Sequence, residues 1–406
     1  MKKYVIVGSG DRGITSYSQP LTRDYADIAQ LCGIYDSNSK RAAVGASKCA
    51  YPVKVYEDFD RMLEETRPDV VIVCSKDCTH HTYIIKALDF GCDVVSEKPI
   101  TTTSKNFRLI QEAEKRSGKK VTITFNCRFM RNFIRVKELL REGQIGTVLS
   151  AHYLWSLDRS HGASYFRRWH RQFENSGSLM VHKSTHHFDL LNWFLEDEPE
   201  KINAFGTRRF YGPTRENRGE RCSTCAHKKT CEYYMDLAED EFYKELYLDC
   251  EDVDGYWRDG CVFSDEIDIE DSVCVNIRYK KGVVASYSLV AHSPFEGLRL
   301  VLHGTKGRME LVSNSSGNHT GCTITVYDAN GEERVYRIPP QDTIGHVNAD
   351  KVFRDSIFMG MPEDPLGQSA DSWAGAMSIG IGIAATTSMK EDRAVRIDEL
   401  FKPVDE

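Results

Sequence analysis

The sequence predicts an α/β protein: a doubly wound parallel sheet followed by a second α/β domain with a large, mainly antiparallel open sheet. Three observations carry this. Short apolar runs alternate with helical patterns over the first 125 residues. A glycine-rich turn follows the first of these runs. Beyond residue 126 the pattern changes to long alternating strands joined by Lys-Gly and Asn-Gly turn signals. At 406 residues the chain is long for one core. Two domains are therefore expected, at 1–125 and 126–406.

In the first part, "YVIVG" (4–8), "CGIYD" (32–36), "VKVY" (53–56), "DVVIVCS" (69–75), "DVVSE" (93–97) and "VTITF" (121–125) read as strands. Amphipathic stretches such as "FDRMLEETR" and "NFRLIQEAEKRSG" separate them. Nearly continuous apolar strands alternating with helices imply a parallel sheet covered on both faces. The first strand runs into Gly8-Ser9-Gly10-Asp11-Arg12-Gly13, a GxGxxG placed between strand and helix. Glycines there let backbone amides approach a pyrophosphate at a helix N-terminus. Asp36 closes the second strand, where a carboxylate can accept from an adenosine ribose and so favours NAD. Lys40 and Arg41 follow it and keep NADP open. The fifth strand ends in Glu97-Lys98-Pro99, which puts a carboxylate and an ammonium where a doubly wound sheet binds ligand.

Composition narrows the function. Charged residues make up 28% and apolar residues 41%, as in globular proteins, and the net charge of −7 has no basic stripe, so no nucleic-acid partner is expected. The run "AGAMSIGIGIAATT" (374–387) is too short and too rich in small residues for a membrane span. A cytoplasmic protein is expected. Thirteen cysteines, mostly scattered, argue against a disulfide framework.

Gly8–Gly13, "CSKDCTHH" (74–81) and "EKPI" (97–100) resemble, in order and spacing, the Gfo/Idh/MocA oxidoreductases; "NCRF", "GQIGTV", "GTKGRMEL" and "AVRIDEL" extend the resemblance along nearly the whole chain. The resemblance implies Lys98 as a catalytic residue beside the nicotinamide and Glu97 as its neighbour at the cofactor. It implies Ser75 and His80 as lining the cofactor site, although "SKD" stands where Thr-Pro-Asn is usual. It also implies a homo-oligomer, dimer or tetramer, formed through the open sheet.

"SGSLMVHKSTHHFDLLNWF" (176–194) reads as one helix, with Ser176 or Ser178 as N-cap. At about 100° per residue, His182, His186, Asp189 and Trp193 share a face within about 60°. Lys183 and His187 occupy another flank. The family pattern here is Gly-Gly-x-x-x-Asp-x-x-x-His-x-x-Asp. It puts His186 on the family's acid–base histidine and Asp189 on the following aspartate, expected to orient it. His182 replaces the family's first aspartate. His182 and His186 could also chelate a metal, with His170, Asp189 or His346 as third ligand. Arg128 and the segment "SYFRRWHRQFEN" (164–175), with Arg167, Arg168, Trp169 and His170, are candidates for binding substrate, as is Lys183.

Cys222, Cys225 and Cys231 fall in an acidic, aromatic insertion at about 208–262. Their short spacing suits a structural zinc, with Cys250, Cys261 or His227 as fourth ligand; an iron–sulfur cluster or free thiols are the alternatives. The function expected is an NAD(P)-dependent oxidoreductase acting on a hydroxyl carbon of a sugar, polyol or sugar derivative. The alternatives are an NAD-retaining enzyme that cleaves glycosides by transient oxidation and elimination, and a non-catalytic nucleotide-sensing regulator.

Overall fold

The structure, a computed structural model, describes residues 1–316, 320–339, 347–361 and 363–401. Six strands form the first sheet: β1 (Lys2–Val7), β2 (Ala29–Tyr35), β3 (Val55–Tyr56), β4 (Val70–Val73), β5 (Asp93–Ser96) and β6 (Val121–Ile123). Their order is β3-β2-β1-β4-β5-β6, all parallel. Each strand has an expected counterpart. The order reverses between β1 and β4, so a crevice opens at the carboxyl ends of these strands, where such sheets bind ligands.

Nine strands form the second sheet: β7 (Val148–Asp158), β8 (Pro199–Thr207), β9 (Ser272–Tyr279), β10 (Val284–Ser293), β11 (Gly297–Gly304), β12 (Gly307–Asn314), β13 (Gly321–Asp328), β14 (Glu333–Ile338) and β15 (Val395–Arg396). The order is β14-β13-β12-β11-β7-β10-β9-β8-β15, antiparallel except for β7 against β10. Along β9 buried and exposed residues alternate strictly after Ser272. One face is thus packed under helices and the other carries exposed Leu154, Phe205 and Val284.

The small-residue run forms the helix Ser372–Glu391, buried along most of its length. Its glycines admit close neighbours: a Cβ at Gly382 would lie 2.5 Å from the Met180 carbonyl oxygen. This helix packs on β8 and on the helix Thr185–Leu195. Just before it, the Ile123 amide donates to Ala370 and ties the segment to β6. The helix Val347–Phe358 also returns to the first sheet, where Phe358 lies edge-on to Tyr4. Both late helices therefore brace the crevice from the far end of the chain.

One expectation is corrected. Residues 176–194 are not a single helix but short turns Phe173–Ser176 and Leu179–His182, a break at Lys183-Ser184, and then the helix Thr185–Leu195. Gly177 and Ser178 both have positive φ, +66° and +80°. A serine there costs about 1–3 kcal/mol and persists only where surroundings enforce it. The Ser176 hydroxyl accepts from the Ser178 amide and donates to the His170 carbonyl, which fixes this turn. The break rotates His182 away from the face shared by His186 and Asp189.

Candidate active site

The glycine loop has the geometry its sequence implies. Gly8 sits at φ +94°, and a Cβ on it would lie 2.4 Å from the Cys74 carbonyl carbon. A Cβ on Gly13 would lie 2.2 Å from the Gly8 oxygen, so neither position accepts a larger residue. A Cβ on Gly10 would meet nothing closer than 3.5 Å, leaving backbone open to a ligand. Helical structure then runs from Asp11–Gly13 through a π-helical turn, Ile14–Ser18, to Gln19–Arg23. Asp36, at the end of β2, accepts from the Ser9 amide at 2.7 Å and from the Asn38 amide at 2.8 Å. Burial raises its carboxyl pKa, against the pull of Arg41. This cradle fits a dinucleotide: a helical N-terminus at the glycine loop for pyrophosphate and a buried carboxylate one strand away for ribose.

Three residues expected at the cofactor, Arg12, Glu97 and His80, are engaged by the protein's own groups. Arg12 donates to Glu97 at 2.7 Å and to both oxygens of Asp350, so its guanidinium braces the loop against the late helix rather than reaching outward. Glu97 also accepts from the Tyr17 hydroxyl. Burial alone would raise its pKa, but Arg12 and Lys98 hold it below the ordinary carboxyl value. His80 places Nδ1 2.8 Å from the Pro99 carbonyl and Nε2 3.0 Å from the Ser75 carbonyl. It ties two strand-end loops together instead of facing a ligand. The Ser75 hydroxyl accepts from Thr79.

Lys98 lies at the carboxyl end of β5, its ammonium donating to the His182 carbonyl at 3.3 Å. Burial lowers its pKa to about 8, with Asp77 and Glu97 opposing the fall. Asp77, which sequence reasoning passed over, is almost wholly buried and lies 2.6 Å from His182 Nδ1. Burial pushes the Asp77 carboxyl well up and Lys98 opposes it, while burial and Lys98 hold His182 well below the ordinary imidazole value. Both shifts favour the neutral forms, and the Asp77 contact takes Nδ1, leaving Nε2 as the other ring nitrogen of His182.

Around this pair stand the aromatic residues of the segment 164–170. The His170 ring lies 4.0 Å from that of His182, Trp169 stacks on His170 at 3.7 Å, and Tyr165 meets His182 edge-on. His170 is also held well below its ordinary pKa, by burial and then by Arg168 and Lys98. Lys183 is buried over Trp155; burial works against its charge, but Tyr165 and Glu296 raise its pKa. The Tyr165 hydroxyl lies 3.0 Å from His161 Nε2, and His161 Nδ1 lies 2.7 Å from Glu296. Tyr165, His161 and Glu296 were not singled out from sequence; only the aromatic, basic character of 164–170 pointed near them.

The expectation for Asp189 is corrected. Its carboxylate is taken by Arg128 through two hydrogen bonds of 2.8 and 2.6 Å, with both side chains almost fully buried. Arg128 further donates to the carbonyls of Gly367 and Ser369. Asp189 therefore anchors Arg128 rather than orienting His186, and Arg128 does not present its guanidinium to a substrate. His186 is buried with its ring against Phe125. His187, stacked on Trp155 at 4.1 Å and 2.7 Å from the Tyr287 hydroxyl, belongs to the core.

The metal expectations fare no better. His182 and His186 are separated by the helix break, and His182 Nδ1 is engaged by Asp77. His346 lies outside the described residues. Cys222, Cys225 and Cys231 do line one small cavity with Cys261. Even so, among the described residues no group of three His, Cys, Asp or Glu side chains is placed to hold a metal ion. Arg167 stands there instead, 3.1 Å from the Cys222 sulfur and also bonded to the Tyr233 carbonyl, so a guanidinium already faces that thiol. Cys250 lies apart, donating to Glu245.

Comparison with known proteins agrees with this architecture. Residues 2–125 match a family model described as the oxidoreductase family NAD-binding Rossmann fold, and residues 137–397 match its C-terminal alpha/beta domain. The chain is 36% identical to the oxidoreductase YteT of Bacillus subtilis, over 99% of this chain and 99% of that protein. It is 29% identical to inositol 2-dehydrogenase 2 of Saccharopolyspora erythraea, over 45% of this chain and 50% of that one. An oxidoreductase of Agrobacterium radiobacter, solved with NAD+, L-tartaric acid and magnesium, shares the fold with a TM-score of 0.68 at 15% identity, covering 98% of this chain and 99% of that one. With both family domains matched in order across most of its length, the chain belongs to the Gfo/Idh/MocA oxidoreductases.

Proposed function

We propose that this oxidoreductase moves a hydride between a nicotinamide cofactor and a hydroxyl-bearing carbon of a sugar, polyol or sugar derivative. The observation that carries the reading is Lys98: a buried amine with a pKa of about 8, at the mouth of the crevice and beside the Asp77–His182 pair. A secondary alcohol must lose its hydroxyl proton as its carbon gives up hydride. The neutral Lys98 amine takes that proton, and Asp77 with His182 passes it outward. Bound NAD supplies the hydride acceptor. NAD is favoured over NADP because Lys40 and Arg41 are already matched by Asp252 and Asp254, and Asp36 would repel a 2′-phosphate.

Residues 1–125 serve as the cofactor unit in this reading. Residues 126–406 bind substrate and, through the exposed apolar face of the second sheet, a second copy of the chain. A panel of sugars, polyols and sugar acids, offered with NAD+, tests the reading by NADH formation. Turnover that Lys98→Ala abolishes is expected. Failure of the native protein to bind NAD(H), or undiminished turnover by the variant, refutes the reading.

One observation favours elimination through transient oxidation as a second reading. The set Glu296–His161–Tyr165 beside Lys183, with Tyr165 edge-on to His182, would supply a further proton-handling group. Release of an aglycone from a glycoside without accumulation of NADH would select it.

A further inference from the structure

The insertion between β8 and β9 does not hang free. Its stretch 240–258 crosses to the first sheet and lies on both loops that form the dinucleotide cradle. At the glycine loop, the Asp11 amide donates to the Tyr247 hydroxyl at 3.0 Å, and the Tyr243 hydroxyl donates to the Asp11 carboxylate at 3.1 Å. At the loop after β2, Asn38 donates to the Cys250 carbonyl at 2.8 Å, and Arg41 pairs with Asp254 at 3.0 Å. Leu246 and Tyr247 bury against Ile14. The exposed pairs Lys40–Asp252 and Lys48–Glu245 lie outside these contacts and add little.

One cation in this contact has no carboxylate partner among the described residues. Arg258 stacks over Tyr247 at 4.1 Å and Tyr243 at 4.6 Å, and among the described residues it forms no ion pair with a carboxylate. It shares an open cavity with Arg168, whose pKa is lowered by burial and then by the charge of Arg258; Asp158, Glu232, Asp236, Glu239 and Asp240 line the same cavity. Arg41, almost fully buried, is by contrast answered through Nη1 by Asp254 and Asp36. The Tyr247 oxygen meanwhile stands on the first amide of the glycine-loop helix, where a phosphate oxygen binds at such sites.

We propose that residues 240–258 clamp the dinucleotide from the side opposite the glycine loop, with Tyr247 and Arg258 holding its pyrophosphate. In this arrangement the Tyr247 hydroxyl, now an acceptor from Asp11, turns to donate to a phosphate oxygen, and Arg258 supplies the charge that the glycine loop lacks. The cofactor cannot leave until the segment lifts, so its release is slowed. The proposal rests on the oxidoreductase reading above and adds residues of the second half of the chain to the cofactor site.

Calorimetry with ADP-ribose and with adenosine, and stopped-flow displacement of NADH from the whole protein, test it. Arg258→Ala should weaken ADP-ribose at least tenfold, leave adenosine within twofold, and release NADH at least tenfold faster. Tyr247→Phe, which keeps the ring and its packing, should release NADH several-fold faster. If both variants bind ADP-ribose and release NADH within twofold of the native protein, the clamp is overturned while the oxidoreductase reading stands. If the native protein binds neither NADH nor ADP-ribose, both fall together.

Discussion

Two buried acids lie near the crevice, Asp189 and Asp77, and they are used in opposite ways. Asp189 has a permanent cation at two hydrogen bonds, and Arg128 is further held by two carbonyls. Every charge in that pair is answered, so it is a fixture. Asp77 has a histidine that burial keeps neutral, and the nearest cation, Lys98, is itself pulled toward neutrality. Burial pushes all three groups toward their neutral forms. Equal burial therefore does not mean equal role. In the function proposed above, the set with perturbed pKa values carries the chemistry.

The comparison can be broken first at Arg128. Replacing it with alanine strands a buried carboxylate, and loss of about 3–5 kcal/mol of stability is expected by denaturant melting. Lys98→Ala should instead leave the melting curve nearly unchanged and reduce kcat by about 10²–10⁴. If Arg128→Ala proved stable and inactive, and Lys98→Ala unstable, the assignment of the two sites would be reversed. Asp77→Asn sharpens the contrast: turnover should drop by about 10-fold to 100-fold, a smaller loss because Lys98 remains. The charge of Asp77 raises the Lys98 pKa, so its removal should also move the alkaline rise in rate to lower pH. The smallest effect expected is at His187, where replacement by phenylalanine keeps the stack on Trp155 but loses the Tyr287 hydrogen bond; stability should fall by about 1 kcal/mol and kcat should hold.

Much of this arrangement could be read from the chain. The six strands of the first sheet, the glycine loop, Lys98 and the hairpins β9–β10 and β13–β14 follow from local pattern, which hydrophobic period and turn residues encode directly. The sequence also showed two departures from the family pattern, "SKD" at 75–77 and His182, without connecting them. They meet in space: the carboxylate at position 77, on the loop after β4, lies against the histidine at 182. A contact across 105 residues leaves no periodic trace.

The pairing of Asp189 with Arg128 was hidden for the same reason. A helical wheel through 176–194 requires one continuous helix. Ser178 at positive φ and the break at Lys183-Ser184 invalidate its angles beyond that point. The insertion was legible only as acidic and aromatic. Nothing in its composition said that Tyr247 would reach Asp11.

The account depends most on Lys98 acting as the base. The direct measurement is the pH dependence of kcat/KM for substrate oxidation, native protein against Asp77→Asn. Below its pKa Lys98 is an ammonium and cannot accept a proton, so the native rate should climb through a single ionisation near pH 8 and level off above it. In Asp77→Asn the same rise should appear at lower pH. A rate independent of pH from 6 to about 10, or a rise that Asp77→Asn leaves unmoved, would contradict the assignment.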